Sequence, residues 1–286
     1  MAVRARSPNP LSAPASAWDF GVVGEKDIQY KIGKTEEELD RITSNFLKGY
    51  TGERDERGRR HGEGTFISVQ TGSTYSGTYA HDKKHGYGTM TFANGDIYEG
   101  MWHQNKKQGK GHYKWVNGNT YTGTWEDDFM TGTGTIIWAE GDKYIGEVLK
   151  NERHGQGDMI YTDGDRYWGS FEHNKKQGLG RMRFQSGVQF VGQWSQNTFS
   201  EGQLEWPNGD QYVGEIKNGI MHGNGKFVPA DPNGNVYDGC WFKGQYHGYG
   251  TLTLPNGNIY YGDFVYNKRQ GNGRFVYAKP FGKYRA

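Results

Sequence analysis

Six aromatic residues, Tyr75, Tyr98, Tyr121, Tyr144, Tyr167 and Phe190, follow one another at intervals of 23 residues. A fixed period of this length restricts the chain to architectures built from one small unit repeated. Each leading aromatic opens the same phrase: Tyr98-Glu-Gly100-Met-Trp102 recurs as Tyr121-Thr-Gly123-Thr-Trp125, Tyr167-Trp-Gly169-Ser-Phe171 and Tyr260-Tyr-Gly262-Asp-Phe264. Side chains alternate between the faces of a strand, so aromatic, Gly and aromatic share one face. Eleven residues on comes Gly-x-Gly with a large residue four positions later, as in Gly86-Tyr-Gly88 with Phe92, Gly109-Lys-Gly111 with Trp115 and Gly132-Thr-Gly134 with Trp138. The same alternation makes this the return strand of a hairpin.

Successive hairpins are separated by Asn94-Gly95, Asn117-Gly118, Asp163-Gly164, Asn208-Gly209, Asn233-Gly234 and Asn256-Gly257, dipeptides that accept the positive φ of tight turns. The series of leading aromatics from Tyr50 to Tyr260 counts ten units: strand, loop, strand, tight turn. The first carries an insertion before Gly62-Glu-Gly64, the seventh is one residue short, and the eighth is lengthened through Pro229-Ala-Asp-Pro-Asn-Gly234. Composition agrees: 46 Gly stand beside 20 Tyr, 14 Phe and 9 Trp. That many aromatics opposes disorder, and the glycines follow no collagen period. Gly weakens a strand unless a ring or another backbone fills the space of its side chain. The rings are therefore expected to lie across the glycines and to stack from repeat to repeat, with Tyr75, Tyr98, Trp102, Trp115, Tyr121, Trp125, Trp138, Tyr144, Tyr167 and Tyr260 as the core aromatics.

Tyr-x-Gly-x-Trp, Gly-x-Gly-x-x-x-Phe and an Asn-Gly turn at a 23-residue step resemble the MORN repeat over residues 50–277. The resemblance implies a single-layer antiparallel β-meander that binds lipid head groups or organises cytoskeletal assemblies. The first unit, Tyr50-Thr-Gly-Glu-Arg-Asp-Glu-Arg-Gly-Arg-Arg-His-Gly-Glu-Gly64, is similar to the opening repeat of radial spoke head proteins of motile cilia. The expected fold is all-β: an elongated single-layer meander of about ten tandem hairpins with a short N-terminal helix.

Outside the array, residues 1–34 read as a flexible or partner-docked tail. Three prolines between Arg4 and Ala17 oppose the amphipathic helix of a transit peptide. Thr35-Glu-Glu-Glu38 has capping-box spacing, and Leu39, Ile42 and Phe46 make one apolar stripe, so residues 35–49 are expected to form a short helix covering the open edge of the first repeat. Residues 278–286 read as a C-terminal tail. Neither flank is long enough for a catalytic domain, and no Ser, His and Asp grouping converges by spacing, so no enzymatic activity and no cofactor are expected.

The charge balance of 34 basic against 32 acidic residues gives no nucleic-acid signature. Cys240 is the only cysteine and no Asn-x-Ser/Thr acceptor occurs, which fits a reducing, cytoplasmic or cytoskeletal location. His61, His85, His154, His222 and His247 occupy the position before Gly-x-Gly, held elsewhere by Gln108, Gln177 and Gln270. Equivalent positions of adjacent hairpins stand ~9.6 Å apart, too far for one ion, so a hydrogen-bonding role is expected and no metal. The remaining polar feature is a ladder of basic pairs at the eighth and ninth positions after the leading aromatic: Lys83-Lys84, Lys106-Lys107, Lys175-Lys176 and Lys268-Arg269. Assigned to the intra-hairpin loops, these cations either keep one edge solvated or contact an acidic partner, such as tubulin tails or anionic lipid. Asp127-Asp128-Phe129-Met130 and Asn197-Thr198-Phe199 interrupt the ladder with apolar groups expected to suit protein contacts. The function expected is a non-enzymatic scaffold in a cytoskeletal assembly, foremost the axoneme of a motile cilium or flagellum, with protein partners and possible self-association. The alternative is a peripheral phosphoinositide-binding module.

Overall fold

The computed structural model describes residues 49–278. The tail over 1–34, the helix expected over 35–49 (Gly49 apart) and residues 279–286 lie outside the described residues. The described chain falls into two compact units divided between Gly155 and Gln156. The first contains β1 (Tyr50–Arg54), β2 (Arg60–Ile67), β3 (Thr74–Ala80), β4 (Lys83–Thr91), β5 (Ile97–His103), β6 (Lys106–Lys114), β7 (Thr120–Glu126), β8 (Phe129–Ile137) and β9 (Lys143–Leu149). β10 (Glu152–Ile160) runs through the division. The second contains β11 (Arg166–Glu172), β12 (Lys175–Arg183), β13 (Gln189–Ser195), β14 (Thr198–Glu205), β15 (Gln211–Lys217), β16 (Ile220–Val228), β17 (Val236–Phe242), β18 (Gln245–Thr253), β19 (Ile259–Val265) and β20 (Lys268–Val276). The fold is all-β, twenty antiparallel strands forming a meander of hairpins in which each strand pairs with its sequence neighbour.

The register places glycine opposite glycine throughout. In the first unit Gly52, Gly64, Gly77, Gly88, Gly100, Gly111, Gly123, Gly134 and Gly146 pair in succession. In the second, a second row runs from Gly169 to Gly273. The leading tyrosines lie over these rows. A Cβ added to Gly111 would stand 2.4 Å from Tyr98 Oη, and one on Gly134 would meet Tyr121 Cε2 at 2.4 Å, so only glycine fits beneath the ring.

Beside the glycines each hairpin carries a bulge. Gly100 faces Gly111 and Trp102 faces Lys107, so Met101 alone opposes three residues of β6. Tyr98 Oη donates to the Met101 carbonyl at 2.9 Å, satisfying a group that the bulge removes from the ladder. Tyr50, Tyr75, Tyr121, Tyr144, Tyr167, Tyr212, Tyr237 and Tyr260 make the same bond three residues ahead. The seventh hairpin explains its own deviation. There Gln193 pairs with Glu201 and Trp194 with Phe199, so the bulge is one residue shorter and Phe190 can lack the hydroxyl.

Turn geometry reverses the sequence assignment of loop and tight turn. The intra-hairpin connections are the tight ones: Gln104 and Asn105 both have positive φ, 49° and 72°, as a two-residue type I′ turn requires. The Asn-Gly connections are wider. In Phe92–Asp96 only Gly95 has positive φ, with Gly95 N–H donating to the Phe92 carbonyl at 2.9 Å and Phe92 N–H to the Asp96 carbonyl at 2.8 Å.

Both turn types bond to the neighbouring repeat through a side chain. Asp96, Asn119, Asp165, Asp210 and Asn258 accept from the backbone N–H of Val116, Ala139, Gln185, Ala230 and Ala278, at 2.8–2.9 Å. At the other edge Asp82, Asn105, Asp128, Asn151, Asn197 and Asn267 accept from the N–H of Arg60, Lys84, Lys107, Met130, Lys176 and Tyr246.

Candidate interaction surface

One face of each unit is filled by rings. Tyr98, Tyr121, Tyr144, Tyr167, Tyr212 and Tyr237 are fully buried, as is Phe190. Of the expected core aromatics, Tyr75, Trp102, Trp125, Trp138 and Tyr260 are buried as well, and Trp115 is half-buried. The contacts between repeats are edge-to-face rather than stacked: Tyr75 to Trp102 at 5.5 Å and 89°, Tyr98 to Trp125 at 5.3 Å and 81°, Tyr167 to Trp194 at 5.0 Å and 78°. This geometry sets the positive ring edge against the negative face of the neighbour. The aromatic face is therefore closed by its own side chains and is not an exposed aromatic platform.

The basic pairs do not sit in loops. They open the return strands, so the two members point to opposite faces. Lys83, Lys106, Lys175 and Lys268 face solvent. Lys106 pairs with Asp127 at 3.1 Å, and Lys175 donates to the Gln196 side chain. The second members enter the ring face. Lys107 Nζ lies 4.4 Å from the Trp125 ring, 4.9 Å from Tyr113 and 5.7 Å from Tyr98. Lys176, 8% exposed, lies about equally close to Tyr161, Tyr167 and Trp194, and Lys84 stands 4.3 Å from Trp102. Arg269 covers Tyr260 and Phe275 but stays exposed in the last hairpin.

Burial pushes the Lys107 ammonium down to about 8; Asp128 and Asp96 oppose the shift and Lys84 adds to it. The π faces around it favour the charged form, by about 0.5–2 kcal/mol per cation–π contact. Where the ladder breaks, the same position holds Met130 and Phe199, both buried. These apolar residues complete the core and offer no surface to a partner, while neighbouring Phe129 is 42% exposed.

Arg60 and Arg153 belong to the same series over Tyr79 and Trp138, and sequence reasoning missed them. The available signal was the ninth position after the leading aromatic, shifted to the tenth by the insertion in the first unit, where every residue is long enough to cross a ring: Arg60, Lys84, Lys107, Met130, Arg153, Lys176, Phe199, Met221, Tyr246 and Arg269. The Asp and Asn side chains that join successive turns were missed in the same way. The position before Gly-x-Gly meets the tight turn of the next hairpin: Gln108 accepts from Asp127 N–H at 3.2 Å and Gln177 from Gln196 N–H at 3.1 Å.

On the opposite face of the second unit, apolar side chains stand exposed among polar ones. Trp168, Leu179, Val191 and Val213 are 60%, 63%, 42% and 55% exposed. They lie on β11, β12, β13 and β15, with Arg181 between Trp168 and Val191 and Gln203 between Val191 and Val213. The first unit presents Tyr87 and Met101 as a cross-strand pair. Among the described residues no helix is long and apolar enough to cross a membrane.

The sequence model of the MORN repeat matches ten segments: 56–70, 75–97, 98–120, 121–143, 144–166, 167–189, 190–211, 212–229, 237–259 and 260–279. The chain belongs to the MORN-repeat family. Its hairpins are thus MORN repeats, a scaffold or interaction module. A comparison with curated protein sequences gives no match. Among solved structures, the MORN array is similar to the wild-type TCP10 domain of Danio rerio CPAP at TM-score 0.35 and 12% identity, over 79% of this chain and 94% of that one. The same domain in complex with a peptide of Danio rerio STIL gives TM-score 0.25 and 12% identity, over 80% and 99%. A streptogramin B lyase gives TM-score 0.14 and 11% identity, over 81% and 83%. Scores this low carry no argument about fold or function.

Proposed function

We propose that this MORN array is a non-enzymatic scaffold of a cytoskeletal assembly, of the radial-spoke type in the axoneme of a motile cilium. The observation that carries the scaffold reading is the exposed patch of Trp168, Leu179, Val191 and Val213. Exposed apolar side chains spread over several strands gain free energy when a protein partner covers them. The axonemal assignment rests on the resemblance of the first unit to radial spoke head repeats. Fractionation tests it: the protein should stay with the microtubule pellet in detergent and leave in high salt. Release by detergent alone would sink the assignment.

The second reading, binding to phosphoinositide head groups, is favoured by the solvent-facing cations Lys83, Lys106, Lys175 and Lys268 at one position of their hairpins. Each exposed cation near an anionic surface contributes about 1 kcal/mol. Reversal of these four to Glu should abolish sedimentation with phosphoinositide vesicles, and unchanged sedimentation rejects the reading.

A further inference from the structure

The insertion in the first hairpin brings a carboxylate to two imidazoles. β1 and β2 are joined by residues 55–59, whereas β3 and β4 are joined by His81 and Asp82 alone. The longer turn is held by Asp55. Its Oδ1 accepts from Arg57 N–H and Arg59 N–H, both at 3.0 Å, and its carbonyl accepts from Gly58 N–H at 2.8 Å. These bonds aim Oδ2 at the second hairpin, where it lies 3.3 Å from His81 Nδ1. His61, in the position before Gly-x-Gly, completes the group, with its ring centroid 5.2 Å from that of His81 and the rings tilted by 47°. One donor atom from each of Asp55, His61 and His81 lies within 4.8 Å of the other two.

Equivalent positions of neighbouring hairpins stand two strands apart, too far for one ion. The structure sets the pre-Gly-x-Gly position of one hairpin against the tight turn of the next, a shorter span. The same juxtaposition recurs as His85 with His103, rings 5.0 Å apart, but that pair forms no such group with a carboxylate. Among the described residues only the insertion supplies one.

We propose that Asp55, His61 and His81 form a site for a borderline divalent transition ion such as Zn²⁺, tying the first MORN repeat to the second. Two imidazole nitrogens and one carboxylate oxygen make a donor set suited to Zn²⁺ and poorly suited to Ca²⁺ or Mg²⁺. A tetrahedral zinc site has ligand atoms ~3.4 Å apart, and both rings are exposed, so small χ rotations close the group. The competing charge is Arg59, whose Nη2 lies 2.7 Å and Nε 2.8 Å from Asp55 Oδ2. That ion pair is partly exposed and screened by water, so the ion can displace it or share the carboxylate. Three protein ligands leave a fourth position for water or a partner's side chain.

Titration calorimetry of the chelator-treated full chain with ZnCl₂ near neutral pH tests the site. One equivalent should bind saturably, and His61→Ala and His81→Ala should each weaken binding about tenfold or more. Asp55→Asn keeps the acceptor that holds the turn but loses the anionic ligand, and should also weaken binding. His85→Ala should leave it unchanged. Co²⁺ in place of Zn²⁺ should give the intense visible absorption of a tetrahedral centre, lost in the His61/His81 double variant. Absence of saturable binding overturns the site, as does binding that the double variant retains.

Discussion

A phenol lying flat on two glycines does three things at once: it fills the space of the missing side chains, presents its face to the next tryptophan edge, and satisfies the carbonyl freed by the bulge. Tyr98→Phe should remove only the last, at a cost of about 1–2 kcal/mol in urea denaturation. Gly111→Ala collides with the ring and should cost about 3 kcal/mol. Lys107 carries a pH signature. Its folded pKa of about 8 lies below the 10.5 of a freely solvated lysine, so between these the unfolded chain holds the proton that the folded chain has lost, and the Lys107 contribution to stability rises with pH. Above about 10 the trend reverses, because burial raises Tyr98, Tyr144 and Tyr167 and takes Tyr121 up to about 12. Lys107→Met, which copies the residue used at Met130, should flatten the rise between pH ~8 and ~10 in thermal melts compared with the parent chain.

Each hairpin holds its own register through the bulge and the type I′ turn, and its neighbour through one side chain at each end. Asp96 and Asn119 are the buried members of this set, 5% and 3% exposed, and Asp96 accepts from the Val116 N–H and the Tyr113 hydroxyl, both at 2.8 Å. Asp96→Ala leaves the buried Tyr113 hydroxyl and the half-buried Val116 N–H bond without their acceptor and should cost about 1–3 kcal/mol, with faster hydrogen exchange at Val116. Asn105→Gly keeps the positive φ of the turn and removes only the bond to Lys84 N–H, so about 1 kcal/mol is expected. The eighth and ninth hairpins turn at Gly219 and Gly244, where no side chain is present to make this bond.

In a molecule whose repeats contact only their neighbours, the same substitution at equivalent positions adds up along the array. Charge reversal separates the two members of each basic pair. Glu at Lys83, Lys106, Lys175 and Lys268 should leave the thermal midpoint nearly unchanged, because these side chains face water. Glu at Lys84, Lys107 and Lys176 places carboxylates against the negative faces of the rings and should unfold the array, as circular dichroism would register.

The sequence by itself determined the repeat count, the strand pairs, the glycine rows beneath the tyrosines and the lengths of the irregular first, seventh and eighth units. These are local properties, set by a period of two within strands and a period of 23 between them. Tertiary structure decided which connection is tight, since Asn-Gly suits both a two-residue turn and the last position of a longer one. It also decided which cation of each pair faces water, because a bulge and a turn shift the register by amounts that composition does not encode. The inter-repeat Asp and Asn bonds and the Asp55, His61 and His81 group join residues about twenty positions apart whose proximity exists only once neighbouring hairpins pack. The resemblance named the family; packing assigned the faces.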